Sequence, residues 1–121
     1  MFKAIALLTR RADLTRDEFI DYYETRHVPL ITSLLPQVRG YRRNFLDHDD
    51  RVAAPGAPAT DFDVVSEFVF DDRAAYEEML AAYAVPETAR RIAADEENFV
   101  DRSRTRMYVV DVRDTGTGAE N

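Results

Sequence analysis

The chain has 121 residues, 45% hydrophobic and 11% aromatic, with 23 acidic against 16 basic side chains and a formal net charge of −7. That length fits one domain with a core of its own, and the acidic balance opposes a phosphate backbone, so nucleic acid is not an expected partner. There is no cysteine, which excludes disulfides, thiolate metal sites and cysteine nucleophiles and gives no sign of an oxidising compartment.

Phe2 to Thr9 is rich in β-compatible residues and predicts a buried first strand. Its apolar stretch, Ala4 to Leu8, is too short for a signal-peptide core or a bilayer span, so the expectation is a cytoplasmic protein with no membrane partner. A helix starts near Thr15: Thr15 and Glu18 form a capping box, and Leu14 can staple onto Phe19. At about 100° per residue, Phe19, Ile20, Tyr23, His27, Leu30, Ile31 and Leu34 fall in one sector of about 120°. His27 thus lies inside an apolar stripe, and Pro29 predicts a kink in the last turns.

Val38 to Leu46 reads as a second strand with Tyr41 and Phe45 on one face. From Asp47 the chain turns Asp-rich and then Ala/Pro/Gly-rich, which predicts a mobile loop over residues 48–60, broken by Pro55, Gly56 and Pro58. Asp61 to Phe70 alternates as a third strand: Phe62, Val64, Ser66, Phe68 and Phe70 share one face, Asp63, Val65, Glu67 and Val69 the other. Asp71 is placed as the cap of a helix carrying Tyr76, Met79, Leu80 and Tyr83, and Pro86 opens another that bears Ala89, Ile92, Ala93 and Phe99. Arg106 to Val112 is the last strand, leaving residues 114–121 as a disordered polar tail after a domain spanning 1–113. The arginine groups Arg39/Arg42/Arg43 and Arg102/Arg104/Arg106 read as solvated or salt-bridged strand ends.

The order β-α-β-β-α-α-β predicts an α+β, ferredoxin-like split β-α-β domain: one antiparallel sheet with helices on one face. Its other face, carrying apolar strand residues, needs a cover, and a second copy of the chain supplies it as a homodimer.

The motif Phe19-x-x-x-Tyr23-x-x-x-His27-Val28-Pro29-Leu30 resembles the EthD family of dimeric α/β-barrel proteins, whose first helix ends in a His-x-Pro-Leu-like motif. Gly40-Tyr41, then Asp63 and Glu67 before Phe70-Asp71, then Asp95-x-x-x-Phe99 follow in the family's order, so the likeness runs over nearly the whole chain. The resemblance implies a sheet closed into a dimeric α/β barrel around an apolar small-molecule pocket. EthD-like proteins and their relatives include a muconolactone isomerase, fungal dehydratases of aromatic polyketide pathways and accessory proteins of ether-degrading oxidation systems. Related barrels include cofactor-free monooxygenases and polyketide cyclases. Val69 stands where the family pattern has a large aromatic, which changes the expected pocket shape.

His27 can donate and accept a proton near neutral pH, as general acid/base work needs, or it can be a core histidine satisfied by one carbonyl. Asp63 and Glu67 lie about 13 Å apart along their strand, too far for a close dyad. Each can orient a partner such as His27 or pair with Arg42 or Arg43 across the sheet. Tyr23 and Tyr41 offer phenols for a substrate carbonyl and walls for a planar ligand, or serve as core with satisfied hydroxyls. The candidate catalytic set is His27, Tyr41 and Glu67, with Tyr23, Leu30, Asp63, Phe68 and Val69 lining the substrate. Asp47-His48-Asp49-Asp50 reads as a solvated loop, since consecutive residues cannot all face one ion, and no phosphate loop, dinucleotide fingerprint or nucleophile elbow occurs. The expectation is a small enzyme with no cofactor and no metal. It would act on an apolar aromatic or polyketide-like carbonyl compound by isomerisation, cyclisation or dehydration. A cofactor-free monooxygenase and a non-catalytic binding protein of a degradation or biosynthetic pathway are the alternatives.

Overall fold

The computed structural model describes residues 1–116. Its elements are β1 (Phe2–Leu8), α1 (Arg16–Tyr22), a π-helical turn (Tyr23–His27), α2 (Val28–Leu34), β2 (Gly40–Phe45), β3 (Val64–Phe70), α3 (Arg73–Tyr83), α4 (Pro86–Glu96), a short 3₁₀ turn (Arg102–Arg104) and β4 (Arg106–Val110). The strands form one sheet in the order β2-β3-β1-β4, antiparallel throughout. This is the expected α+β, ferredoxin-like architecture. Of the polar tail expected over 114–121, residues 117–121 lie outside the described residues.

Strand alternation decides which residues meet the helices. Ala4, Ala6 and Leu8 of β1 and Val64, Ser66 and Phe70 of β3 are buried beneath the helical layer. Lys3, Ile5 and Leu7, with Val65, Glu67 and Val69, point to the opposite face, which no helix among the described residues covers. The register sets Phe68 beside Ala4 and Tyr41, and Ser66 beside Ala6. One core cluster is built on Phe19, Tyr23 and Phe99, the other on Ile31, Phe70, Met79 and Ile92.

The capping box at Thr15 is present: its side chain accepts from the Glu18 amide, and the Glu18 carboxylate accepts from the Thr15 amide at 2.8 Å. Elsewhere the structure moves what the sequence predicts. The first helix departs from α geometry one turn before Pro29, where the Val28 amide donates to the Tyr23 carbonyl, five residues back. Pro29 sits in the first turn of α2. Asp72, not Asp71, caps α3 by accepting from the Ala75 amide at 2.8 Å, while Asp71 pairs with Arg39. Phe99 lies beyond the end of α4, in a turn tied to the end of β1 by the Arg11 amide donating to the Phe99 carbonyl. Strands β2, β3 and β4 are each shorter than their sequence patterns, because pairing stops where the partner strand ends.

Candidate functional site

Between the helical face of the sheet and helices α2–α4 lies a cavity of about 300 Å³. Its walls include Tyr23 and His27 from the π-helical turn, Tyr41 from β2, Phe68 from β3 and Ile31 from α2. Leu80 and Met107, 43% and 40% exposed, mark its mouth between α3 and β4. The lining is mostly apolar, with a few convergent polar groups, the usual make-up of a small-molecule site.

His27 is only 3% exposed. Its Nδ1 lies 2.8 Å from Asp95 Oδ2, a carboxylate on α4. With Asp95 ionised, that contact fixes Nδ1 as the protonated nitrogen and leaves Nε2 as the basic one. The sequence reading offers a backbone carbonyl or a carboxylate as the partner of His27; the structure supplies the carboxylate, from Asp95. The ring also packs edge-on against Tyr23 and tilted against Phe99, with centroids at 5.2 and 4.9 Å.

Opposite His27 runs a string of hydroxyls. Tyr23 Oη is 2.6 Å from Ser66 Oγ and 2.7 Å from Tyr41 Oη. Three hydroxyls carry three protons and two links use two of them, so one O–H is left to donate outside the string. When Ser66 donates to Tyr23 and Tyr23 to Tyr41, that free donor is Tyr41. Burial pushes the Tyr23 phenol up to about 12, against the opposing hydrogen bonds of Ser66 and Tyr41. Burial likewise raises Tyr41, with Tyr23 beside it adding to the effect. Both phenols therefore stay protonated donors through the neutral range. The Arg43 guanidinium, held by two bonds of 2.6 and 2.8 Å to Glu24, sits 4.9 Å above the Tyr41 ring and fixes it against the π-helical turn. Tyr41 also stacks on Phe68 at 4.5 Å.

The structure brings together His27, Tyr23, Tyr41 and Phe68, but not the remaining candidates. Glu67 and Val69 are on the opposite face of the sheet, beside an open groove also lined by Lys3 and Arg42. Glu67 accepts from Lys3 at 2.9 Å and from Asn44 at 2.8 Å, and the Lys3 contact above all holds its carboxyl below the ordinary range. Within one chain it cannot assist His27, because strand parity turns it away. Asp63 lies at the far end of β3, where it accepts from the Arg10 amide at 2.6 Å and contacts His48 Nε2 at 3.0 Å, in place of the expected cross-sheet arginine. Leu30 is half-buried on α2 and is not part of the cavity wall.

Three functional groups are missing from the candidate set read from the sequence. Asp95 enters that reading only as part of the motif Asp95-x-x-x-Phe99, although a carboxylate three residues after Ile92 on the apolar stripe of α4 is a signal for a role. Ser66 is a fully buried hydroxyl on an apolar strand face. Tyr22 donates to the second oxygen of Asp95 at 2.7 Å. Among the described residues no group of three His, Asp or Glu side chains is arranged to hold a metal, and no helix is long and apolar enough to cross a membrane.

The EthD domain model matches residues 11–103, a stretch that contains the helix bearing His27, the tyrosines of the cavity and Asp95. The chain belongs to the EthD family. No curated protein is similar to it in sequence. Among solved structures, it is similar to an EthD-like protein from Ralstonia eutropha JMP134, with a TM-score of 0.64 and 16% identity over 98% of this chain and 97% of that one. A dimeric protein of ferredoxin-like fold from Bacteroides fragilis matches at a TM-score of 0.53 with 12% identity, covering 92% and 95% of the two chains. An antibiotic biosynthesis monooxygenase matches at 0.53 with 19% identity over 94% and 100%. At these identities the likeness is one of fold, and the chemistry of this EthD protein rests on its own residues.

Proposed function

We propose that this EthD protein is a small cofactor-independent enzyme that binds an apolar aromatic or polyketide-like carbonyl compound in the 300 Å³ cavity and moves a proton within it. The observation that carries this reading is the buried His27, tied through Nδ1 to Asp95 while its ring forms part of the cavity wall. Nε2 removes a proton from the carbon next to the carbonyl, and Asp95 stabilises the imidazolium that results. The Tyr41–Tyr23–Ser66 string donates to the oxygen on which the enolate charge develops, as an oxyanion hole does. Returning the proton to a different atom completes an isomerisation. Loss of a β-hydroxyl as water, protonated by the His27 imidazolium, completes a dehydration, and attack of the enolate on a second carbonyl, whose oxygen takes that proton, completes a cyclisation. No arginine or lysine lines the cavity, and the rim carboxylate Glu96 pairs outward with Arg102 at 3.1 Å, a setting that favours a neutral substrate over an anionic one. Two copies pair through the uncovered sheet face; the Bacteroides fragilis neighbour of like fold is likewise dimeric.

Deuterium wash-in tests this reading directly. In D₂O, 2-tetralone, a neutral bicyclic ketone, should exchange its α-protons faster with the wild-type protein. His27→Asn, which keeps one hydrogen bond and cannot shuttle a proton, should lower that rate by roughly 100-fold or more. Equal rates for the two proteins would remove the acid/base role. Oxygen uptake with a phenolic substrate would instead point to the monooxygenase branch, and binding without exchange or uptake to an accessory protein.

A further inference from the structure

We propose that Tyr22 is a positioning residue for His27: its hydroxyl fixes Asp95 so that the carboxylate holds the imidazole with Nδ1 protonated and Nε2 turned to the cavity. This deepens the reading of His27 as the base and rests on it for its use, though not for its detection.

The two oxygens of Asp95 are divided between two donors. Oδ2 is 2.8 Å from His27 Nδ1 and Oδ1 accepts from Tyr22 at 2.7 Å. Asn98 donates its side-chain amide to Tyr22 Oη at 2.9 Å, so the phenol's lone pair is engaged and its proton points at Asp95. Both rings rest on Phe99, Tyr22 stacked at 5.1 Å and 27° and His27 at 4.9 Å. Phe99 is fully buried, so this platform is held by the core.

The π-helical turn makes the convergence possible. Residues 22 and 27 are five apart, and on a regular α-helix they would lie about 140° around the axis from one another. The wider turn from Tyr23 to His27 closes that angle and brings both side chains to one carboxylate. Single π turns inside α-helices often occur at functional sites, and here the turn has a stated geometric task. The other ionisable groups on the cavity around His27 are Tyr23 on its own turn, Tyr41 from β2, Tyr83 from α3 and Glu96 from α4. None of them bonds to the Asp95 carboxylate, whereas Tyr22 does.

A hydrogen bond donated to a carboxylate draws charge from it, so removing the Tyr22 hydroxyl should concentrate that charge on His27 and favour the imidazolium. The experiment is a ¹H–¹⁵N NMR titration of the His27 ring in full-length protein carrying His48→Gln, which leaves one histidine. In that background Tyr22→Phe keeps the ring on Phe99 and removes only the hydroxyl. We expect the His27 midpoint to rise by about half a unit or more. Asn98→Ala, an exposed change that leaves Tyr22 in place, should move the midpoint in the same direction by less. An unchanged midpoint in a folded Tyr22→Phe protein would overturn the proposal and make Tyr22 a packing residue. If Tyr22→Phe does not fold, Asn98→Ala decides by the same readout. A shifted titration in a protein that shows no deuterium exchange would uphold the positioning role while the acid/base reading of His27 falls.

Discussion

Tyr23 shows how one residue serves fold and site together. Its ring meets Phe19, Phe45, Phe99 and His27 edge-on, the favoured aromatic arrangement, and its hydroxyl joins Ser66 to Tyr41. A fully buried phenol with two partners resists ionisation, which ties stability to alkaline pH. Its folded value of about 12 lies above the ordinary 10.0, so the protein binds the proton more tightly than the unfolded chain does. The stabilisation is whole below pH 10 and is lost as pH rises toward about 12. At about 1.4 kcal/mol per unit, roughly 2–3 kcal/mol disappears across that window. Urea unfolding at successive pH values checks this, and Tyr23→Phe should flatten the alkaline limb. A limb of the same slope in the variant would assign the loss to other groups.

The same scale explains why the partner of His27 was the hard part to read. His27 and Asp95 are 68 positions apart in the chain, and nothing local sets which helix face will meet the π-helical turn. The placement of Glu67 was partly legible: its parity with Val65 and Val69, against Ser66 and Phe68, already put it on the other face from the aromatic residues. What the sequence left open was which face the helices would cover.

Elements were legible where a local rule acts alone. The start of α1 follows from Thr15 and Glu18, whose reciprocal bonds need only a three-residue spacing, and the strands follow from period-two alternation. The misplaced features depend on tertiary contact. Pro29 predicted a kink in the last turns, and the irregularity takes the form of a π-helical turn, Tyr23–His27, just before it. Phe99 matched a helical stripe, but α4 ends at Glu96 and the ring reaches the core from a turn held to β1. The rule-bound element gives a clean prediction. Thr15→Ala removes one half of the capping box and should cost about 1 kcal/mol, with hydrogen exchange rising in the first turn of α1 and not in α4. Uniform acceleration across both helices would mean that the cap acts on global stability and not on local fraying.

For the molecule as a whole, the decisive feature is the uncovered sheet face. Ile5, Leu7, Val65, Val69 and Val110 lie there half-buried, with Tyr108 53% exposed, and a face of this kind is rarely left to water in a folded protein. In the proposed homodimer it meets its own copy, and the ion pair of Lys3 with Glu67, now 26% and 20% exposed, becomes enclosed. That difference in solvation can be measured. Breaking an exposed pair of this sort costs about 0–1 kcal/mol, whereas leaving one buried charge without its partner costs about 3–5 kcal/mol. Lys3→Met keeps the apolar stem, removes the ammonium and leaves the Glu67 carboxylate with the Asn44 amide at 2.8 Å and the charge of Arg42, its cross-strand neighbour. Sedimentation of the wild-type protein at micromolar concentration should show a dimer, and Lys3→Met should weaken it by about tenfold or more in dissociation constant. Lys3→Met combined with Glu67→Gln should recover part of the loss, because the interface no longer encloses the Glu67 carboxylate. A wild-type monomer, or a Lys3→Met dimer as tight as the wild type, would leave this face in contact with water and require another surface for any pairing of the chains.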